Sequence, residues 1–393
     1  MKENWEIKKL DEVCDTINGL WTGKKEPFIK VGVIRNTNFT KDCKLDDADI
    51  AYLDVEVKQF NQRKLKYGDI ILEKSGGSTN QPVGRVVLFE KKDGDFSFSN
   101  FTSVIRIKDK SVLSFKFLHK YLSFLYFTGY TERLQSNTTG IRNLDFNRYK
   151  KTEIPIPPLP VQETIVKELD ILHRLKELQE QQLAEYDNLA QSTFYSMFGD
   201  PIENEKGWEV RKLGEVCDTT SGGTPSSKRT EYYDNGTINW LRSGEVNKIF
   251  ITESELKITE EGLNNSSAKM LPINTVLIAM YGATVGQVGI LKFEASTNQA
   301  ICGILPNDYL NPVFLYFTLF FHKPYYLELA MGGAQPNISQ TIIKNTNVIF
   351  PPLSFQTDFA NRIEKIEAQK ELVKQGIAET QLLIDYTMDK YFG

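Results

Sequence analysis

The clearest pattern in the chain is a pair of long amphipathic stretches, each opened by two prolines. In the first stretch, seam positions recur at steps of three and four from Ile165 to Met197. The positions 194 residues later, from Phe359 to Tyr391, follow the same pattern. Such steps, sustained over about five heptads, are typical of a coiled-coil seam. Each stretch therefore predicts a helix of nearly 40 residues, about 57 Å long at about 1.5 Å per residue.

Both seams contain polar residues near their middle, which leaves two interpretations open. Lys176 and Gln179 interrupt the first seam, and Lys370 and Val373 stand at the same positions of the second. Two separate amphipathic helices, each packed on its own globular block, would give such a pattern. The repetition over the whole span favours two helices packed together as an antiparallel coiled-coil-like pair.

The blocks that precede the long helices have a different pattern of residues. Short β-branched and apolar runs alternate with glycine, as in "YGDIILEKSGG" from Tyr67 and "VLIAMYGATVGQVGILKF" from Val276. Such runs are typical of sheets with tight turns. Phe115–Phe127 and Pro312–Phe321 each predict one buried helix. The predicted fold class is therefore α+β, with two compact domains of about 150 residues.

The chain is an internal duplication. "WEIKKLDEVCD" (Trp5–Asp15) returns as "WEVRKLGEVCD" (Trp208–Asp218), with eight of eleven positions identical. "IPIPPLPVQ" (Ile154–Gln162) returns as "VIFPPLSFQ" (Val348–Gln356). The chain is therefore built from two cycles of about 200 residues each, and this duplication defines its architecture. The predicted segments are a first domain (1–153, head 1), a first helical spacer (154–207), a second domain (208–347, head 2) and a second helical spacer (348–393).

Within the heads, similarity is weaker but detectable. An offset of 205 aligns Leu72, Gly77, Thr79, Val83 and Gly84 with apolar, glycine and threonine residues of head 2. Their predicted counterparts are Leu277, Gly282, Thr284, Val288 and Gly289. The heads are therefore expected to share a fold and to differ in content.

Composition narrows the class of protein. The chain has 40% hydrophobic residues and no run of 18 apolar residues, so it predicts real cores and no membrane span. The charged start lacks a secretory signal, and the four cysteines include no C-x-x-C pair. Cys14 and Cys217 occupy equivalent positions of the two repeats, and we expect both to be small buried hydrophobic residues. These features favour a cytoplasmic location.

Charge is unevenly distributed along the chain. The net charge is −4, but residues 1–153 carry 27 basic and 21 acidic residues, whereas residues 154–207 carry 4 and 10. Head 2 has 11 basic and 13 acidic residues and lacks this bias. The overall acidity therefore hides a local basic footprint that phosphate groups could use.

Two unlike heads on a duplicated helical spacer indicate a DNA reader. B-DNA has local two-fold symmetry, and dimeric readers place equivalent elements on two half-sites. A fused dimer with diverged heads would read an asymmetric, bipartite site. The helices would hold the heads apart and set a fixed gap between the half-sites.

At this point the residues carry a family resemblance. "GTINWLRSGEV" (Gly236–Val246), "SSAKMLPINTVLIAMYGATVGQVGI" (Ser266–Ile290), "STNQAICGIL" (Ser296–Leu305) and both proline–helix junctions resemble the specificity subunit of a type I restriction–modification enzyme. The resemblance covers essentially the whole chain, although head 1 has "EKSGGSTNQPVGR" in place of "AMYGATVGQVG". It implies two target recognition domains alternating with two helical regions.

The resemblance also implies partners. The subunit would bind double-stranded DNA and position two modification (methyltransferase) subunits, docked on the outer face of the helices. Those partners would supply S-adenosylmethionine and the methyl transfer. With restriction subunits added, the complex would also cleave DNA.

Catalytic motifs are missing from the sequence. There is no [D/N/S]-P-P-[Y/F] methyltransferase tetrad, no G-x-G-x-x-G and no G-x-x-x-x-G-K-[ST]. His119, His173 and His322 are not repeat equivalents and have no partner ligands at metal spacing. The sequence therefore predicts a non-catalytic DNA-binding subunit that binds no cofactor or metal of its own.

The candidate DNA-contacting residues lie in loops rich in Gly, Ser, Thr, Asn, Gln and Arg. Glycine lets backbone amides approach phosphates, while amide and guanidinium groups read base edges. In head 1 the candidates are Lys74, Ser75, Thr79, Asn80, Gln81, Arg85, Arg142 and Asn143. In head 2 they are Thr224, Ser226, Lys228, Arg229, Tyr281, Thr284, Gln287, Gln335 and Asn337.

One rival interpretation stays open at this stage. A non-catalytic coiled-coil adaptor that binds proteins through its two heads would share the duplication and the helices. The two differ in their salt response, because a DNA reader loses affinity steeply as salt concentration rises.

Overall fold

The computed structural model describes residues 5–21, 23, 25–78, 81–138, 141–330 and 337–393. The chain forms two compact units. Unit 1 comprises Met1–Leu178 and Ile377–Gly393, and unit 2 comprises Gln179–Gly376. The unit boundaries cut both long helices, whereas the segments predicted from the sequence keep each helix whole. Both units mix helices with sheets, as the predicted α+β class requires.

Unit 1 contains head 1, whose strands are short and whose helices, apart from one, are brief. The strands are β1 (Glu6–Lys9), β2 (Cys14–Asn18), β3 (Phe28–Ile34), β4 (Ala51–Glu56), β5 (Asp69–Glu73), β6 (Ser75–Gly77), β7 (Val86–Phe89), β8 (Phe96–Phe98), β9 (Thr102–Ile107), β10 (Gln135–Thr138), β11 (Ile141–Leu144) and β12 (Glu153–Ile156). The helices are α1 (Leu10–Val13), α2 (Val57–Arg63), α3 (Phe115–Phe127) and α4 (Phe146–Tyr149), followed by the long α5 (Leu159–Phe198).

Unit 2 contains head 2 and repeats much of this order. Its strands are β13 (Val210–Lys212), β14 (Thr219–Ser221), β15 (Ile238–Leu241), β16 (Phe250–Ile251), β17 (Leu256–Ile258), β18 (Val276–Ala279), β19 (Val288–Leu291), β20 (Ser296–Thr297), β21 (Ile301–Ile304) and β22 (Asn347–Ile349). Its helices are α6 (Leu213–Val216), α7 (Glu260–Asn264), α8 (Pro312–Phe321), α9 (Lys323–Ala330) and α10 (Gln340–Lys344), followed by the long α11 (Leu353–Phe392).

Three sheets of head 1 have counterparts in head 2, and head 1 has a further sheet in the order β10-β11-β6. In head 1 the main sheet has the order β2-β9-β5-β7, with a smaller sheet β4-β3-β8 and a closing pair β1-β12. In head 2 the main sheet has the order β14-β21-β18-β19-β16, which is one edge strand more than in head 1. The smaller sheet of head 2 is β17-β15-β20, and its closing pair is β13-β22. The first strand of each head therefore pairs with the strand that leads into its long helix, which closes each repeat.

Strand register corrects the alignment of the central hairpins. Leu72 pairs with Val86 in head 1, and Ile278 pairs with Val288 in head 2. The structural offset is therefore 206 on the first strand and 202 on the second, and the predicted uniform offset of 205 is wrong. Head 1 has a longer loop between the two strands. Two positive-φ glycines flank that loop in both heads: Gly76 and Gly84 in head 1, Gly282 and Gly286 in head 2.

The predicted buried helices are confirmed as α3 and α8. Phe117 and Leu122 of α3 are fully buried in the head 1 core, and Phe314 and Leu319 of α8 are fully buried in the head 2 core. Asn311 caps α8 by accepting a hydrogen bond from the Val313 amide, with proline at the first helical position.

The four cysteines are buried and free. Cys14 and Cys217 join the apolar clusters of their heads, as predicted for small hydrophobes. Burial raises the pKa of the Cys14 thiol to about 12 and that of Cys217 to about 11. Both thiols are therefore protonated at neutral pH.

The two long helices have 40 residues each and pack together with opposite direction. In unit 1 the early part of α5 meets the late part of α11, where the Tyr391 hydroxyl donates to Glu168 at 2.7 Å. In unit 2 the late part of α5 meets the early part of α11, where Lys370 pairs with Asp187 at 2.6 Å. Lys176 of α5 donates to Gln381 of α11 at 2.8 Å, so both seam lysines have polar partners on the other helix.

The proline–leucine–glutamine echo has a structural reason. Gln162 is fully buried in the first turn of α5 and accepts a hydrogen bond from the Ser114 amide at 2.8 Å. Its own amide donates to the carbonyls of Val112 and Pro157. In unit 2, Gln356 likewise accepts a hydrogen bond from the Asn311 amide and donates to the carbonyls of Tyr309 and Pro351. Each glutamine therefore ties the start of a long helix to the start of the buried helix of its head.

We predict that Gln162→Ala lowers the stability of unit 1 by about 3 kcal/mol, because it leaves buried backbone groups without partners. Thermal unfolding followed by circular dichroism measures this as a fall in the first transition midpoint. Gln182→Ala is the matched control, since Gln182 lies exposed on the same helix. Equal midpoints for the two variants would contradict the role of the buried amide.

Candidate nucleic-acid interface

A small three-stranded sheet gathers the two candidate loops of head 1. The hairpin β10–β11 pairs antiparallel with β6, with Asn143 opposite Ser75. The Ser75 hydroxyl donates to the Asn143 side-chain oxygen at 2.5 Å. The sequence-predicted segments around Lys74 and Asn143 are therefore brought into contact by main-chain pairing, with both side chains half-buried at the junction.

Lys74 lies beside this junction and has polar and aromatic neighbours. Its ammonium donates to Asn18 Oδ1 at 2.9 Å and lies 5.3 Å from the centroid of the Phe146 ring. Burial lowers the pKa of Lys74. Asn18 also accepts from the Ser103 hydroxyl at 3.2 Å. Sequence reasoning missed Asn18, although the Trp5/Trp208 offset of 203 aligns it with Ser221 at the start of a predicted head 2 loop.

Arg85 occupies a different environment from the one predicted for a base reader. Its side chain is 6% exposed and forms a two-pronged ion pair with Glu73, at 2.9 and 2.8 Å. Nη1 also donates to the Phe39 carbonyl at 2.6 Å. With its amide oxygen turned toward Arg85, the exposed Gln81 accepts from Nη2 at 2.7 Å. In this arrangement Arg85 holds neighbouring loops together, and contact with a base would require its buried ion pair to break.

Head 2 builds the equivalent junction with other side chains. Tyr281 and Asn337 form an antiparallel bridge at the positions that correspond to Ser75 and Asn143. Tyr281 is 44% exposed, and its carbonyl accepts from the Thr284 hydroxyl at 3.0 Å. Asn337 is also exposed. The same backbone position thus presents Ser with Asn in one head and Tyr with Asn in the other.

Gln287 corresponds to Arg85 once the strand registers are aligned. The position of Glu73 is taken by Ala279, so the buried ion pair of head 1 has no counterpart in head 2. The Gln287 side-chain oxygen is buried without a hydrogen-bond partner in the described part of the chain. Arg85 and Gln287, both candidates from the sequence, therefore occupy one structural position. The guanidinium nitrogens of Arg85 all have hydrogen-bond partners, whereas the side-chain oxygen of Gln287 has none among the described residues.

The remaining head 2 candidates follow β14. The Thr224 hydroxyl donates to Gln299, and Arg229 donates to the Tyr232 hydroxyl at 3.0 Å. Ser226 accepts the Arg229 amide through its carbonyl, and Lys228 is exposed. These residues lie in a loop separate from the Tyr281–Asn337 bridge.

Two head 2 amides were not predicted from the sequence. Gln340 accepts from the Ser221 hydroxyl at 3.2 Å and donates to Thr219 at 2.6 Å, which links α10 to β14. Gln299 is the partner of Thr224. Neither lies in a glycine-rich loop, so the composition signal that selected the other candidates could not find them.

The other predicted residues divide into two groups. Arg142 is half-buried, with a guanidinium nitrogen 3.9 Å from a Glu132 carboxylate oxygen. Thr79, Asn80 and Gln335 lie outside the described residues.

The chemistry of these junctions suits recognition. Hydroxyl, carboxamide and ammonium groups are the types that contact base edges and phosphates. Burial lowers the pKa of His119 to about 4 and also lowers the pKa values of His173 and His322, so these imidazoles are not sources of positive charge at neutral pH. Among the described residues, no cluster of His, Cys, Asp and Glu could hold a metal ion. No helix in that part of the chain is long and apolar enough to cross a membrane.

The duplicated architecture matches a known family of DNA-specificity modules. The model of the type I restriction modification DNA specificity domain matches this chain twice, over residues 2–186 and 205–381. These matches cover most of the chain, so the chain belongs to this family.

Several curated relatives are specificity subunits. The chain is 24% identical over 245 residues to the type I restriction enzyme EcoR124I/EcoR124II specificity subunit of Escherichia coli, covering 59% of each protein. It is 28% identical to the MjaIX specificity subunit of Methanocaldococcus jannaschii, of which it covers 42%. These matches thus span about half the length of each relative. The putative MjaX specificity subunit of the same archaeon is 20% identical over 95% of this chain and 89% of its own length.

Solved structures share the fold. A chain from the type I R-M system, studied for its complex assembly and conformational transition, aligns with a TM-score of 0.63 at 20% identity. That alignment covers 99% of this chain and 98% of the other. The type I restriction-modification system S subunit from M. genitalium aligns with a TM-score of 0.59 at 16% identity, covering 99% of this chain and 96% of its own. The duplicated head-and-helix arrangement is therefore the fold of these proteins.

We predict that Arg85→Ala destabilises unit 1 by about 3–5 kcal/mol, because Glu73 is left as a buried unpaired charge. The double variant Glu73→Ala/Arg85→Gln, which installs the head 2 residues, should recover most of that loss. Chemical denaturation of the three proteins measures the difference. If the double variant were as unstable as Arg85→Ala, the buried charge would not be the cause.

Proposed function

We propose that this chain is the DNA sequence-specificity subunit of a type I restriction–modification system, and that each head reads one half of an asymmetric bipartite site. One observation carries the proposal. Both heads build the same backbone junction, at Ser75–Asn143 and at Tyr281–Asn337, and furnish it with different side chains. Equivalent placement with unequal chemistry is what two half-sites of unlike sequence require.

The charge of head 1 supports DNA as the ligand. Its net charge of +6, from 27 basic and 21 acidic residues, stands against −2 for head 2, from 11 and 13. Phosphate neutralisation by basic side chains supplies affinity without sequence information, whereas amide and hydroxyl groups supply discrimination. Head 1 would therefore contribute more of the salt-dependent affinity, and both heads would contribute specificity.

The chain would act without chemistry of its own. The sequence lacks the methyltransferase and nucleotide-binding motifs, and the family is one of DNA specificity domains. Methyl transfer would come from modification subunits that carry S-adenosylmethionine, and cleavage would come from added restriction subunits. This chain would choose where on the duplex they act.

The long helices would serve as spacer and docking surface. Each helix of 40 residues is about 60 Å long at about 1.5 Å per residue. Leu178 and Leu189 of α5 are exposed, and so are Leu372 and Leu383, the positions 194 residues later on α11. Exposed leucines repeated on both helices support the docking of two copies of one partner, the modification subunit.

Co-expression with the modification subunit from the same system, followed by methylome sequencing, tests the proposal. We expect one methylated motif with two specified blocks separated by a fixed number of unspecified bases. Asn143→Ala should relax a position of one block by roughly 1–3 kcal/mol if it pairs with a base edge. Asn337→Ala should relax only the other block.

Two controls distinguish an error about one residue from an error about the proposed function. Gln182→Ala should leave both blocks unchanged, since this side chain lies exposed on a helix. Binding of random-sequence duplex, titrated with salt, should weaken steeply as the salt concentration rises. Methylation of a single undivided site, or salt-insensitive binding, would overturn the proposal.

A further inference from the structure

Three segments of head 1 end side by side at one edge of its smaller sheet. β3 and β8 run parallel, and the Ser99 amide, just after β8, donates to the Ile34 carbonyl at the end of β3 at 2.9 Å. Leu20 forms a parallel bridge with Ser99 from the other side. Adjacent strands are about 4.8 Å apart, so Leu20 and Ile34 lie roughly 10 Å apart across this edge. The residues that follow these ends form what we call the head 1 edge: Trp21, Arg35, Asn100 and Phe101.

The head 1 edge presents two aromatic rings to solvent. Trp21 is 66% exposed and Phe101 is 45% exposed. The Trp21 amide donates to the Gln59 side chain at 3.2 Å, which fixes the backbone that carries the indole. The Phe101 carbonyl accepts from the amides of Lys74 and Ser75, so the edge adjoins the junction at β6. Large exposed apolar groups beside such polar residues are typical of a binding surface.

Arg35 supplies positive charge to this edge, and its guanidinium is not engaged. Its main chain is fixed, because its amide donates to the Asn38 side-chain oxygen at 3.0 Å. Its Nε is buried without a hydrogen-bond partner, and no ion pair or hydrogen bond engages the rest of the guanidinium within the described part of the chain. A guanidinium carries five N–H donors, and a donor buried without a partner is costly. A ligand with adjacent acceptors would satisfy them.

The equivalent arginine of head 2 has a carboxylate partner. Arg242 follows β15 as Arg35 follows β3, and each precedes a single 3₁₀ turn. The Arg242 guanidinium pairs with Glu255 at 2.8 Å. The registers of β3 with β4 and of β15 with β17 place Ile50 of head 1 at the position of Glu255. Because this carboxylate is missing from head 1, the arginine of head 1 is available to a ligand.

The aromatic positions of the edge also differ between the heads. Equivalent amide–carbonyl hydrogen bonds at the ends of β8 and β20 align Trp21 with Thr224 and Phe101 with Ala300. Head 2 therefore has a hydroxyl group, which donates to Gln299, and a methyl group where head 1 has two exposed rings. At this place head 2 offers polar side chains that are paired with one another, whereas head 1 offers rings and an unpaired guanidinium.

We propose that Arg35 is the arginine through which head 1 reads a base edge, with the rings of Trp21 and Phe101 against the same stretch of duplex. The inference rests on the proposed function and assigns to Arg35 a contact that Arg85 could make only by breaking its ion pair with Glu73. A free guanidinium suits the two adjacent acceptors of guanine in the major groove, and apolar groups suit the methyl group of thymine. The block read by head 1 would then contain a G·C pair whose recognition depends on Arg35.

Competition binding tests the contact once methylome sequencing of the unsubstituted chain, with its modification subunit, has defined the two blocks. The probes are duplexes that carry this motif, with each base pair of the head 1 block substituted in turn. Arg35→Ala should lower discrimination at one G·C pair at least about tenfold and leave the other pairs unchanged. Arg35→Lys keeps the charge but loses the planar fork, so it should not restore the discrimination.

The matched control is Arg242→Ala, which removes the equivalent arginine of head 2 and should leave discrimination within the head 1 block unchanged. Retained discrimination in Arg35→Ala would overturn the inference. An equal loss of affinity for every duplex, or full recovery with Arg35→Lys, would identify a phosphate contact and overturn it as well. Absence of a bipartite motif for the unsubstituted chain would instead overturn the proposed function, and this inference with it. Circular dichroism melting of each variant checks that the fold is retained.

Trp21 gives a second readout that needs no knowledge of the motif. Random-sequence duplex at low salt should quench the tryptophan fluorescence of the full chain. Trp21→Phe should remove most of this quenching, because Trp5 and Trp208 are half-buried and Trp240 is buried. Equal quenching in Trp21→Phe and in the unsubstituted chain would show that the head 1 edge does not face the duplex, and would overturn the inference.

Discussion

Two buried glutamines set the geometry on which the rest of this fold depends. Gln162 and Gln356 each satisfy a main-chain amide at the start of a buried helix and two carbonyls at the surrounding turns. A carboxamide removed from water must find such partners, since each buried group left unpaired costs about 1–3 kcal/mol. The long helix can therefore leave its head only in the orientation that completes these bonds. Every function that requires a head at the end of a helix relies on this contact.

Duplication explains both the regularity and the asymmetry of the molecule. The closing strand pairs, the main sheets and the glutamine contacts recur in both halves. Where the copies differ, the difference is local and chemically specific. The ion pair of Glu73 and Arg85 in head 1 is replaced by Ala279 and Gln287 in head 2. A scaffold held constant by backbone pairing and buried amides leaves the loops free to change.

Much of this architecture could be predicted from the sequence because its signals are long or repeated. Periodicity sustained over a whole helix predicted α5 and α11, and continuous apolar runs predicted α3 and α8. The register of the central hairpins could not be predicted, because glycine-rich loops of unequal length leave the offset ambiguous. Strand pairing resolved it and placed Arg85 and Gln287 at one position.

The site was harder to predict than the fold for a physical reason. An arginine beside glycines in the sequence suggests a ligand contact. Whether Arg85 is buried, however, depends on the carboxylate of Glu73, twelve residues away, which strand pairing brings next to it. Asn18, Gln299 and Gln340 lie outside the loops of suggestive composition and meet the candidates only in three dimensions. All of the candidate DNA-contacting residues remain predictions from the sequence, including Thr79, Asn80 and Gln335, which lie outside the described residues.

The central claim is that each head reads its own half of the site. A chain in which residues 5–153 replace residues 208–347 would carry two copies of head 1 on the same helices. Trp5 and Trp208 precede equivalent strands, and Glu153 and Asn347 begin the equivalent strands that lead into the long helices. Methylome sequencing of this chain with the modification subunit gives the most direct test. Our account predicts a palindromic motif made of the head 1 half-site and its inverted copy. Retention of the original asymmetric motif, or of its head 2 half, would contradict it.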